Sequence, residues 1–221
     1  MRCLILCRKM SRAKFQTIAH DRAGFSLIEL MIAMAIGTIV LAAIMGVYTS
    51  HTRSYTTQNV AAEVQQTVRA GVDYMVEDIM MAGFDPLEVS GAAIRSAGSS
   101  RLSFTLDRNM NGTIDTVSDE EVTYRYDGIS RVTHTIDESQ GAGADTQPFI
   151  DNVSELTFTY RNELDQDMID DLGLGDPLPA DDLDDIRTVE IRMTVTEPAG
   201  RGSTVQRTYN TRVRCRNIGL N

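Results

Sequence analysis

Twenty-four consecutive residues, Phe25 to Tyr48, carry a single charge, the carboxylate of Glu29. About 20 apolar residues suffice to cross a bilayer as a helix, so this run fixes the fate of the N-terminal part before any fold is considered. A carboxylate costs roughly 2.5–3.5 kcal/mol at the centre of such a helix, so a charge kept there has a partner and a task. In front of the run lie six basic residues (Arg2, Arg8, Lys9, Arg12, Lys14, Arg22) and one acid, Asp21. That imbalance holds the N-terminal side in the cytoplasm and sends the remainder across.

An ordinary cleaved signal has a 7–15-residue apolar region and a small-x-small cleavage site, which this segment does not match. A plain membrane anchor accounts for the length but not for Glu29, nor for the glycine directly before Phe25. The run Gly24-Phe25-Ser26-Leu27-Ile28-Glu29-Leu30 resembles the class III signal of type IV prepilins and related pseudopilins. The resemblance implies cleavage after Gly24 by a membrane prepilin peptidase and methylation of the new N-terminal residue, Phe25. It also implies an assembly role for Glu29, which in that family meets the terminal amine of a neighbouring subunit. The proline that many major pilins carry in this helix is absent, which bears on a kink rather than on the family.

Charge divides at the same point. Of 21 basic and 31 acidic residues, six and one lie in the leader, leaving 15 and 30 and a net charge of −15 for the remainder. A translocated acidic domain argues against nucleic acid as a partner, because phosphate contacts need a basic face. Cys3 and Cys7 belong to the leader, and Met10 is an alternative start that would omit both. Cys215 is then the lone thiol, expected to be buried and inert in a strand, with intermolecular pairing as the minor alternative.

Beyond Tyr55, Val60, Val64, Val68, Val72, Met75 and Ile79 recur every three or four residues, one apolar stripe on a helix. No proline interrupts residues 25–85, and Gly83 followed by Pro86 is a stop signal. A continuous helix of that length extends on the order of 90 Å at 1.5 Å per residue. From about residue 100 the apolar period becomes two. Residues 102–106, 121–126, 129–136, 156–160, 188–196 and 205–213 read as half-buried antiparallel strands. Asp127-Gly128 marks a hairpin between two of them. The expected fold is α+β, with a long N-terminal helix packed on an antiparallel sheet, which is also the pilin-like fold the resemblance implies. The organisation reads as leader 1–24, membrane or filament-core helix 25–48, amphipathic continuation 49–85 and β-rich periplasmic or extracellular domain 86–221.

The segment Gln65-Gln66-Thr67-Val68-Arg69-Ala70, the closing Asp78-Ile79-Met80-Met81-Ala82-Gly83-Phe84 and the run Val213-Arg214-Cys215-Arg216-Asn217 are similar to minor pilins of the PilW type. That similarity implies an inner-membrane precursor that enters a type IV pilus and initiates assembly or sits at its tip. Implied partners are the prepilin peptidase, other minor pilins, the major pilin and a tip adhesin. A type II secretion pseudopilin shares the same helix and cleavage logic. A membrane-tethered calcium-binding adhesive module that never assembles is the reading from a different class.

One loop carries a metal signal. Asp107-Arg-Asn109-Met-Asn111-Gly112-Thr113-Ile114-Asp115 fits the start of a calcium loop, with oxygen ligands at alternate positions and glycine at the sharp turn. Asp107, Asn109, Asn111, Thr113 (through its carbonyl) and Asp115 are the candidate Ca2+ ligands. Ser118 stands where a bidentate glutamate is expected, leaving Asp119, Glu120 or Glu121 to reach in. A solvated hairpin loop, made by Asn-Gly alone, explains the same residues. Residues 162–185 hold ten carboxylates and no Lys or Arg, a composition expected of a solvated, mobile loop, with a second divalent-ion site or a basic partner's docking surface as alternatives. No catalytic constellation emerges from the scattered His20, His51 and His134, so an enzyme is not expected.

Overall fold

The computed structural model describes residues 24–115, 119–136, 145–200 and 202–219. Two compact units divide at residue 49. The first holds the start of α1 (Leu27–Met81), a helix of 55 residues. Its apolar residues from Phe25 to Tyr48 are exposed, and no residue in its membrane-compatible window is buried against the protein. Helical hydrogen bonding without an apolar partner is the state of a segment whose solvent is lipid or another helix.

The second unit begins at Ser50, and there the same helix acquires a buried stripe: Val64, Val68, Val72, Met75 and Ile79. The three- and four-residue spacing places them on one side, where they join the core cluster formed with the strands. Gly71 sits where Ile150 and Phe149 approach the helix closely. The helix stops at Met81 because Gly83 adopts φ of +75°, a left-handed value that glycine takes without a Cβ clash. The Asn217 side-chain amide donates to the carbonyls of Met80 and Ala82, each at 3.4 Å, and the Gly83 N–H donates to Thr105 O at 2.9 Å.

Eight strands follow among the described residues, all paired antiparallel. The first sheet runs in the order β1 (Ile94–Gly98), β2 (Arg101–Thr105), β3 (Glu121–Tyr126), β4 (Arg131–Ile136), β5 (Asp145–Asp151). The second runs β6 (Val153–Arg161), β7 (Thr188–Pro198), β8 (Thr204–Arg214). Strand alternation sorts the faces. Leu102, Phe104, Val122 and Tyr124 are buried in the core. On the opposite face one register row places Ser103, Thr123, Thr135 and Thr146 side by side. Ser103 and Thr123 hydroxyls bond at 2.8 Å, and Thr135 and Thr146 at 3.0 Å. In the second sheet Val189, Ile191, Met193 and Val195 of β7 are all buried, along with Leu156, Phe158 and Tyr160 of β6. β6 is tied to the hairpin ends of the first sheet: Val153 N–H donates to Ser130 O, Phe158 N–H to Ser99 O, and the Tyr160 hydroxyl to Gly98 O at 2.9 Å.

Three features depart from the sequence expectations. The single sheet is two sheets, and β1 and β5 join the six expected strands. β1 is short and β5 carries a proline, and neither alternates cleanly (Ile-Arg-Ser-Ala-Gly; Asp-Thr-Gln-Pro-Phe-Ile-Asp), so their pairing depends on tertiary partners rather than local pattern. Cys215 lies one residue beyond β8 rather than inside a strand, and it is buried. The acidic stretch is structured: a 3-10 helix spans Ala180–Asp185, and Met168, Leu178 and Leu183 within the stretch are buried. Apolar residues spaced among the carboxylates anchor the segment while the charges stay in water.

Candidate functional site

Two places invite a functional reading, one in each unit. At the head of the first, a β-carbon at Gly24 would meet nothing within 4 Å among the described residues and Phe25 is 79% exposed, so both residues flanking this peptide bond lie on the surface of the unit. Glu29 lies in the first turn of α1 and is exposed. A carboxylate there complements the unpaired N–H groups and positive dipole end of the helix, so part of its cost is offset locally. Gly24, Phe25 and Glu29 are thus presented together on one helix start, with the apolar run immediately behind.

In the second unit, between β2 and β3, the described residues 107–115 and 119–120 bond to one another. Asp107 and Glu120 are both fully buried. Asp107 accepts from Asn111 N–H at 3.1 Å and Gly112 N–H at 2.9 Å. Glu120 accepts from Asn109 N–H at 3.1 Å and Asp115 N–H at 2.6 Å, one carboxylate oxygen each. Buried charge is tolerated only when its lone pairs are met, and here loop amides meet them. Of the three carboxylates left open by the sequence, Glu120 is the one that reaches in.

Asp115 is held by the Asn109 and Asn111 side-chain amides at 3.0 and 2.7 Å, and these bonds keep its carboxyl below the usual carboxylate range. Thr113 donates through its N–H and its hydroxyl to Asn111 Oδ1, both at 2.8 Å. Asp107, Asn109, Asn111, Thr113 and Asp115 are therefore gathered in one loop. Its donor set is entirely oxygen, the chemistry a hard cation such as calcium takes. Calcium, a hard cation, would be held by oxygens of Asp107, Asn109, Asn111, Asp115 and Glu120 and by the Thr113 carbonyl. No group of three or more His, Cys, Asp or Glu positioned to hold a metal occurs among the described residues, so amide and carbonyl oxygens are indispensable to any such site.

A third cluster has no signature in the sequence. Asp78 of α1 accepts from the Tyr124 hydroxyl at 2.6 Å and lies 3.9 Å from His134 Nε2. Tyr74, Tyr124, His134 and Phe149 pack ring against ring around it, with centroids 5.0–6.1 Å apart. Burial and the Asp78 charge push the Tyr124 phenol far above its ordinary value. The cluster fastens the helix to β3 and β4. Only long-range pairing brings residues 78, 124 and 134 together.

Residues 20–45 match the prokaryotic N-terminal methylation motif, which includes Gly24, Phe25 and Glu29. Residues 57–215 match the model of prepilin peptidase-dependent protein B. The chain belongs to that family. It is a pilin-type protein of the class processed by prepilin peptidase, with an N-terminal helix long and apolar enough to anchor it in a membrane. Among solved structures, the type IV-like pilin TTHA1219 from Thermus thermophilus is similar at 10% identity and a TM-score of 0.43, over 70% of this chain and 97% of its own. None of the curated proteins matches the chain.

Proposed function

We propose that this family member is a minor pilin of the PilW type, cleaved between Gly24 and Phe25, methylated on Phe25 and drawn into a type IV pilus to initiate assembly or occupy its tip. The observation that carries the reading is the pairing of an exposed apolar helix start with one exposed carboxylate, Glu29, beside the exposed residues Gly24 and Phe25. Assembly moves the apolar surface of residues 25–48 from lipid into contact with other helices. Glu29 sets the register by meeting a neighbour's terminal amine where an unpaired charge is expensive. Partners on this reading are the prepilin peptidase, the major pilin, other minor pilins and a tip adhesin. The location is the inner membrane before assembly and the cell-surface pilus after it.

The test compares piliation, twitching and protein secretion in a deletion strain and its complemented parent. Lost pili with normal secretion support the reading. Normal pili with blocked secretion move the protein to the type II secretion pseudopilins. Glu29→Ala is expected to be cleaved normally and to fail at incorporation, and normal incorporation would defeat the register role.

The 107–120 loop is read as a calcium site of modest affinity that stiffens the domain for adhesion. Its support is the oxygen-only donor set gathered around Asp115 and the buried Asp107 and Glu120. Titration calorimetry with calcium, and melting in calcium against chelator, test it. No heat and no shift in Tm leave the loop as a self-sufficient hairpin.

A further inference from the structure

We propose that the outer face of the second sheet binds a carboxylate-bearing polysaccharide, its arginines taking the acid groups and its threonines and amides the sugar hydroxyls. On β7 the odd-numbered residues from Val189 to Val195 are all buried, so the even-numbered ones, Thr188 to Thr196, turn to the other side. Their register partners share that face: Arg161 and Arg214 stand beside Thr188, and Thr157 and Asn210 beside Arg192. Between Thr188 and Thr196, and among their partners, this face holds only Thr, Asn, Gln, Arg and Glu.

The chain beyond the leader is strongly acidic, yet here Arg161, Arg192, Arg212 and Arg214 stand with two glutamates, Glu155 and Glu190. Three of the arginines follow the β7–β8 seam. Arg214 and Arg212 are two residues apart on β8, and Arg192 lies opposite Asn210, two residues further. Each step is about 6.8 Å along the strand. Arg212 and Arg161 are engaged by Glu190, at 3.1 and 3.5 Å, and by Asp165, both at 3.8 Å. Arg192 and Arg214 are exposed and make no ion pair among the described residues. They leave two guanidinium forks able to take a carboxylate through paired N–H bonds. At physiological salt the remaining charges of the domain are screened beyond about 8 Å, so the local arginines decide what approaches.

The uncharged side chains name the polymer. Protein interfaces centre on buried aromatic and apolar anchors, and single-stranded nucleic acid is held by aromatic stacking; this face offers neither. Duplex DNA carries one negative charge per about 1.7 Å of axis, far denser than one arginine per two strand residues. A polysaccharide with carboxylates sets hydroxyls between its acids. Thr157 and Asn210 flank Arg192 on either side, and a hydroxyl or amide both donates and accepts, as sugar hydroxyls require. Threonine is stiff at χ1, so little rotamer freedom is lost when the face is covered.

The experiment uses the full chain in detergent micelles, with chelator present, and a fluorescein-labelled decamer of galacturonic acid, read by anisotropy at physiological salt. Saturable binding is expected, and no binding would overturn the proposal. The carboxyl-reduced decamer, the same sugars without charge, should bind at least tenfold more weakly; a smaller difference would overturn the role of the arginines. A decaglutamate peptide and a ten-residue thymidylate strand should each be at least tenfold weaker too; a smaller difference for either would overturn the polysaccharide assignment. The variant R192E/R214E, checked for an unchanged melting curve, should lose at least tenfold. R207E, opposite Val195 and so on the other face, should bind as the parent does. A smaller loss in the double variant, or an equal one in R207E, would overturn the placement on this face. If the charge reversal misfolds, R192Q/R214Q takes its place with the same threshold, and the comparisons among probes stand on the unaltered protein.

Discussion

Replacing Glu120 by glutamine tests whether the 107–120 loop is clasped from within. Both carboxylate oxygens of this fully buried side chain accept backbone amides, Asn109 N–H at 3.1 Å and Asp115 N–H at 2.6 Å. A hydrogen bond to a charged group contributes about 1.5–3 kcal/mol, and an orphaned buried donor costs about 1–3 kcal/mol. Glutamine keeps one acceptor oxygen, now neutral, and turns an NH2 group toward the other amide. The expected loss is on the order of 2–4 kcal/mol. At roughly 2–4 °C per kcal/mol for a unit of this size, Tm should fall by about 4–16 °C. The assay is urea and thermal unfolding of the full chain in detergent with chelator present, so that no cation contributes. Glu155→Gln, at an exposed position, is the control and should stay within about 0.5 kcal/mol. A Glu120→Gln loss below about 1 kcal/mol would refute the reasoning, because the loop would then hold without the clasp.

Gly83→Ala should destabilise by at least about 1–2 kcal/mol through the left-handed backbone alone, and further because a β-carbon would stand 3.0 Å from Asn217 O; a stability gain in urea titration would contradict the cap. Burial pushes the Cys215 thiol up to about 12, so thiol-reagent labelling should be roughly 100-fold slower in the native chain than in urea, and equal rates would count against it. The Asp127 carboxyl lies below the usual range because it accepts the backbone N–H groups of Arg131, Ile129 and Ser130. A lowered folded pKa makes its stabilisation present above the unfolded value of about 3.9 and lost as pH falls through the folded value. Asp127→Asn should therefore lower Tm at neutral pH and flatten the melting profile below about pH 4.

The helix and six strands were legible because their signals are local. A 3.6-residue stripe and a two-residue alternation survive in the bare sequence, and Gly83 announced its own stop. Gly24, Phe25 and Glu29 stood out because one charge in an apolar run has few explanations. β1 and β5 were not legible, since neither alternates cleanly and each owes its conformation to a neighbour. The division into two sheets follows from β6 turning onto the hairpin ends at Ser99 and Ser130, a tertiary event with no sequence period. Glu120 could be narrowed to three consecutive acids, but choosing among them required knowing which side chain the β3 entry turns inward. The anchoring of the acidic stretch by Met168, Leu178 and Leu183 was hidden by the charge around them.

The Asn217 amide caps helix carbonyls 135 and 137 residues earlier in the chain. During vectorial synthesis the helix end emerges long before the residue that finishes it. Until then Met80 and Ala82 depend on water for their partners. Completion of the fold therefore waits on residue 217, and a chain that has not reached it carries an unfinished helix terminus. The same spacing gives the closing contact a high contact order, which places it late among folding events.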